Sequence, residues 1–312
     1  MEISLMIEGQ MGLNWPRWKV IVDLVESSGF AGLFRSDHFT NPTPPDYDSL
    51  ELIVSLVYVA DHTQRIHFGQ LVSPISFRNP VFLARQAAAI SDLSGGRMVL
   101  GVGAGWQERE HETFGFDLGS VKERFQRLGE ALEIITKLLR SDEPVVFRGK
   151  HFSVNGARVS PKPTEPVPVL LGGNGPKRSL PLAARYADWW NGSWGDAETF
   201  KGKSDLLDEL LETENRKASD LKRTVMVPLF FGRDDAAAHE RMGPLKNHPM
   251  MQGESPSRAV QIAAKHGMVA GSGERVKEQL DALESSGVQE VMLQWFQLDD
   301  LEGLKEFAEL LG

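Results

Sequence analysis

Four short segments of this 312-residue chain carry residues that could do chemistry, and each follows a run of apolar residues. The first is Arg35-Ser36-Asp37-His38-Phe39. Asp37 beside His38 joins a carboxylate to the side chain that titrates nearest neutrality, a pair able to hydrogen-bond a ligand and move a proton. A helix cap followed by a surface histidine is the plainer reading of the same residues. The second segment is Gly69-Gln70-Leu71-Val72-Ser73-Pro74. A glycine and a proline at a strand's end point to a bulge or sharp bend that aims backbone at a ligand, against an ordinary strand stop.

The third segment, Gly101-Val102-Gly103-Ala104-Gly105-Trp106, invites a dinucleotide-fold reading. The G-x-G-x-x-G pattern fails in both registers, because Trp106 or Glu108 stands where the last glycine belongs. The glycines instead suit a flat ring system lying close to the backbone, or a tight structural turn. The fourth, Leu171-Gly172-Gly173-Asn174-Gly175-Pro176-Lys177-Arg178, runs from a strand into a helix. Free N–H groups on glycine-rich backbone at a helix start suit an anion, and Lys177 and Arg178 add charge, so a ligand phosphate fits there. A tight turn with solvated basic residues is the alternative.

The run Glu108-Arg109-Glu110-His111-Glu112 has the residue types of a metal site. Adjacent residues on a helix point in different directions, so a solvated charged turn is expected instead. The other histidines form no H-x-H pair and no two-histidine-plus-carboxylate grouping, and no metal is expected.

The elements that must position these segments follow from the alternation of short apolar runs with amphipathic stretches. Strands are expected at Ile3–Ile7, Phe30–Phe34, Ile66–Val72, Met98–Val102, Val167–Leu171, Asp188–Asn191, Val225–Phe231 and Glu290–Trp295. Eight βα units in strict alternation predict a parallel sheet closed into a TIM-type (β/α)8 barrel, class α/β, with residues 1–312 as one domain. An open doubly wound sheet is the competing architecture. A small hairpin is expected through Val145, Phe147, Phe152 and Val154, and a loop-rich insertion over about 234–270 would overhang the mouth of the barrel. In such a barrel all four segments lie at the end where catalysis occurs.

Composition narrows the class further. There is no cysteine, which removes disulfides, thiolate nucleophiles and iron–sulfur or zinc–thiolate sites. Net charge is -9 with no basic run, so no nucleic-acid partner is expected. No apolar run approaches the roughly 18 residues of a membrane helix, and no leader is visible, so a cytoplasmic protein without a membrane partner is expected.

Taken together, the segments resemble the luciferase-like superfamily, and most closely its F420-dependent oxidoreductase branch. The resemblance rests on Leu33–Phe39, Val72–Pro80, Leu93–Arg97, Leu100–Trp106, Leu171–Gly175 and Ala187–Asn191, with Phe125, Leu128 and the helix between Gly271 and Gly287. It implies a deazaflavin ring, F420, or alternatively FMN, packed on a bulge in the third strand at Gln70, Leu71, Val72 and Ser73. That bulge would carry a cis peptide at Gln70–Leu71, to within one residue. Asp37 and His38 would sit near the ring, with His38 as acid or base. Gly103, Ala104, Gly105 and Trp106 would flank it, and Gly172, Gly173, Asn174 and Gly175, with Lys177 and Arg178, would receive the phosphate.

The implied activity is hydride transfer between F420 and a small organic substrate. A two-component FMN monooxygenase using oxygen, and a non-catalytic flavin-binding barrel, are the alternatives. A flavin or F420 reductase or dehydrogenase is implied as electron source, and a homodimer as the assembly. In sugar-phosphate dehydrogenases of the branch a glutamate follows the glycine-rich turn as proton donor. Trp106 occupies that place here, which speaks against a sugar phosphate substrate.

Overall fold

Strands that are apolar on both faces must be covered on both faces, and closing them into a ring does this without leaving an edge. The computed structural model describes residues 1–193 and 195–311. Among these, eight parallel strands close a barrel: β1 Glu2–Ile7, β2 Gly32–Arg35, β3 His67–Gln70, β4 Met98–Gly103, β5 Val169–Gly172, β6 Trp189–Ser193, β7 Lys222–Phe231 and β8 Glu290–Trp295. Closure is made by β1 against β8, with Glu2 opposite Glu290 and Ile7 opposite Trp295. The expected single α/β barrel is thus observed, and no open doubly wound sheet forms.

Alternate residues divide between lumen and shell. Met6, Phe34, Val99, Leu170 and Met292 fill the lumen, each no more than 2% exposed. Residues such as Leu5, Ile7, Leu33, Leu100 and Leu293 point outward into a core shared with the helices. At the N-terminal end the lumen is closed by charge. Buried Glu290 accepts from Ser4 Oγ, from His67 Nε2 at 2.8 Å and from Lys222 Nζ at 2.7 Å. Burial opposes ionisation of Glu290, but His67 and Lys222 outweigh it and hold its pKa at about 2.

Local sequence explains the helix starts that frame the opposite end. Asn14 caps Trp15–Ser27, and Asn79 accepts from Val81 and Phe82 at the start of Pro80–Ser94, each with proline in the first turn. Ser120 and Glu123 form a reciprocal capping box on Val121–Arg140. The hairpin is present as Val145–Arg148 with Ser153–Ala157.

The non-proline cis peptide lies at Leu71–Val72, one residue beyond Gln70–Leu71 and within the one-residue span expected. One expectation is corrected. The segment over 234–270 is not loop-rich: it holds helices Asp235–Arg241 and Pro256–Lys265, whose Ala238, Val260 and Ala263 pack with Met242 on Phe230, Met251 and Met268 in a core of their own. Among the described residues no helix is long and apolar enough to cross a membrane.

Candidate active site

A cavity of about 930 Å³ opens at the C-terminal ends of the strands. Its floor is made by the bend between β3 and the short strand Ser73–Pro74, where Leu71 and Val72 turn into the lumen. The glycines of the third and fourth segments make room for this bend. A β-carbon on Gly101 would collide with the Gln70 carbonyl, and one on Gly103 with Val72 Cγ2. One on Gly172 would come within 3.2 Å of Val72 Cγ1. The glycines therefore accommodate the chain's own backbone and Val72, and Gly103 and Gly172 line the cavity beside Leu71 and Val72. Gly103→Ala is expected to destabilise the fold by about 1–3 kcal/mol through overpacking. Val72→Ala in the same chain should recover most of that loss in denaturant unfolding; no recovery would mean Val72 is not what fills the space.

On one wall His38 lines the cavity, held from behind by Glu110. His38 Nδ1 lies 2.9 Å from Glu110 Oε1, and Glu110 Oε2 accepts the Phe39 N–H at 3.1 Å. Because Glu110 already accepts a backbone donor, its carboxylate takes the proton-bearing Nδ1–H of His38, and Nε2 is left for the cavity. Burial pushes the His38 pKa down, but the hydrogen bond and charge of Glu110 outweigh it and hold the imidazole above its ordinary value. The Trp106 ring meets His38 edge-on at 5.5 Å between centroids.

Glu110 is buried, at 1% exposure, so the expected solvated charged turn at Glu108–Glu112 is corrected. The helix Glu108–Phe114 lays one face on the Ser36–Asn41 loop: Gln107 Nε2 donates to Thr40 O at 2.8 Å, and Phe114 packs edge-on against Phe39 at 4.9 Å. His111 turns the other way, to Ser76 Oγ at 2.6 Å. Adjacent Glu110 and His111 do diverge, as expected, and among the described residues no group of metal ligands forms. The signal overlooked is the helical period of Gln107, Glu110, His111 and Phe114.

Of the remaining expected site residues, Leu71, Val72, Gly103, Ala104, Gly105, Trp106, Gly172 and Gly173 line the cavity with His38. Asp37 does not. Its oxygens are taken by Arg78, at 2.7 and 2.9 Å, and by Ser73 Oγ at 2.7 Å, so it anchors the loop and is not free to exchange protons with His38. Gln70 is fully buried off the cavity with both side-chain polar atoms unpartnered. Ser73 is spent on Asp37, and Asn174 ties its loop to Ser193. Lys177 and Arg178 point to solvent and do not line the chamber; Arg178 lies over the Phe125 ring at 5.7 Å. The main-chain N–H groups of Asn174, Gly175 and Lys177 find no acceptor among the described residues, which leaves a set of donors on the loop that follows Gly173. Residues absent from the sequence reading also line the cavity, among them Glu8, Met11, Tyr47, Met226, Gln294 and Phe296.

With this geometry in hand, comparison with known proteins is informative. The model of the luciferase-like monooxygenase family matches residues 6–290. An F420-dependent glucose-6-phosphate dehydrogenase of Kineococcus radiotolerans is 32% identical over 219 residues, 69% of this chain and 64% of that protein. Its counterpart from Amycolatopsis mediterranei is 31% identical over 69% of this chain and 65% of its own length. The match therefore spans somewhat less than two thirds of these relatives. Among solved structures, an F420-dependent secondary alcohol dehydrogenase with an F420-acetone adduct superposes with a TM-score of 0.83 at 21% identity, covering 99% of this chain and 97% of that one. The monooxygenase RslO1 from Streptomyces bottropensis superposes at 0.78 with 17% identity, covering 100% and 98%.

Proposed function

The chain belongs to the luciferase-like monooxygenase family, and from that premise we propose that it is an oxidoreductase transferring a hydride between the deazaflavin F420 and a small organic substrate. The observation that carries the reading is a histidine held by a buried carboxylate, facing a chamber floored by Leu71, Val72, Gly103 and Gly172. The residues present fit such a group. Leu71, Val72, Gly103 and Gly172 offer a surface for a ring, and the N–H groups of Asn174, Gly175 and Lys177, without acceptors among the described residues, offer donors to a phosphate.

When bound, F420 supplies or accepts the hydride at the substrate carbon. Everything else falls to the protein. His38 Nε2 gives a proton to the carbonyl oxygen being reduced, or takes it from the alcohol in the opposite direction. Glu110 fixes the imidazole's tautomer and favours its charged form, which suits a proton donor near neutral pH. Asp37 and Arg78 hold the loop that carries His38. Trp106 beside the imidazole limits the water that can reach it. A homodimer, and a separate F420-reducing dehydrogenase as electron source, belong to the same proposal.

A second reading keeps the site and uses reduced FMN with oxygen, as the shared fold with a monooxygenase allows. Titration of the purified protein with F420 and with FMN, followed by fluorescence quenching, separates them. F420 is expected to bind at least about tenfold more tightly, a difference of roughly 1.4 kcal/mol. Preference for FMN, with substrate-dependent oxygen uptake, would reverse the assignment.

A further inference from the structure

The walls above the floor are apolar: Met11, Tyr47, Trp106, Met226 and Phe296 face the chamber, with Pro42, Pro44 and Pro45 across its mouth. Among the described residues none of those lining it is lysine or arginine. Of the nearby cations, Arg109 forms a two-point pair with Asp46 and Arg78 is bound to Asp37. Arg124 donates to the Gly105 carbonyl, its Nε is without a partner among the described residues, and it does not line the chamber. Phosphate and carboxylate ligands are ordinarily met by such side chains, so the chamber lacks what an anionic substrate needs.

Two carboxylates do reach it. Glu110 is matched by His38, but Glu8, at the end of β1, has only neutral amides. Gln10 Nε2 donates to it at 2.8 Å and Gln294 Nε2 to its other oxygen. Ser36 Oγ, bonded to Gln10 Oε1 at 2.7 Å and to the Gly9 N–H, fixes this arrangement. Gln294 Oε1 is buried with no partner, so this wall is rich in acceptors. An anion entering the chamber meets a carboxylate that, among the described residues, is hydrogen-bonded only to neutral amides and in direct contact with no cation, where apolar walls weaken solvent screening.

We propose that the site takes a neutral, mainly apolar carbonyl compound or its alcohol and rejects anions, and that Glu8 sets this preference. The proposal rests on the hydride-transfer reading and deepens it. It also departs from the sugar phosphate named for the glucose-6-phosphate dehydrogenases of similar sequence. In this proposal the N–H donors of Asn174, Gly175 and Lys177, on the loop that follows Gly173, serve the cofactor and not the substrate.

The test compares two ketones of equal length, 2-octanone and 7-oxooctanoate, together with glucose 6-phosphate. Binding is followed by calorimetric titration, with and without saturating F420. The neutral ketone is expected to bind at least about tenfold more tightly than the keto acid. Glu8→Gln should narrow that gap at least about threefold, and added salt should narrow it in the unmodified protein. Equal or tighter binding of the keto acid or glucose 6-phosphate, or no binding of the neutral ketone, overturns the proposal. A gap unchanged by both Glu8→Gln and salt removes Glu8 from it. F420 is titrated first on the same sample: failure there sinks the hydride-transfer reading, while the cofactor-free titrations still report the charge preference.

Discussion

His38→Ala is expected to lower turnover by about 10²- to 10⁴-fold while leaving F420 affinity within a few-fold, the usual cost of losing a positioned acid or base. The split follows from the geometry. The imidazole lines the chamber with Nε2 free and contributes no part of the floor, so its loss removes a proton path more than a binding surface. Binding is read by fluorescence quenching and turnover by the absorbance of the deazaflavin. Turnover equal to that of the unmodified protein would take His38 out of the mechanism. A parallel collapse of cofactor affinity would instead make it a binding residue.

Glu110→Gln should act through that histidine. The amide keeps the shape and one acceptor but loses the charge that raises the His38 pKa, so the imidazole becomes easier to deprotonate. In carbonyl reduction the active form is protonated, and the alkaline limb of the rate–pH profile should move to lower pH. A merely structural role would lower the rate evenly and leave the limb in place. Stability carries the same sign. A histidine whose folded pKa is raised stabilises the fold fully below its unfolded value, and this is lost as pH rises through the folded value. The deficit of Glu110→Gln in denaturant unfolding, about 1–3 kcal/mol for a disturbed buried hydrogen bond, should be greatest under acidic conditions and shrink as pH rises. A deficit that grows with pH would contradict the pairing.

Much of this was legible in the sequence, for identifiable reasons. The barrel strands are short apolar runs, β4 and β5 among them ended by Gly, and Gly101 to Trp106 falls at the end of β4 where a ligand site belongs. The bend was placed only to within one residue because tertiary fit sets it. Val72 must drop between Gly103 and Gly172, and nothing local to Gly69–Pro74 encodes that. Asp37 and His38 look alike as neighbours in sequence, and only Arg78, some 40 residues on, shows that the carboxylate is already spent. Glu110 was obscured by the charges around it. The helices within 234–270 were obscured by their length: at 7 and 10 residues they offer few periodic positions to read. Glu8 and Gln294 sit on opposite ends of the chain, and only the closure of β1 against β8 brings them together.

The filled lumen has a consequence for traffic. With Phe34, Met292 and their neighbours packed beneath the floor, and Glu290 with His67 and Lys222 closing the far end, the described residues leave no passage through the barrel axis, and exchange takes place at the C-terminal mouth. Whatever enters first and sits deepest is last to leave, and the outer guest must depart before the inner one can be exchanged.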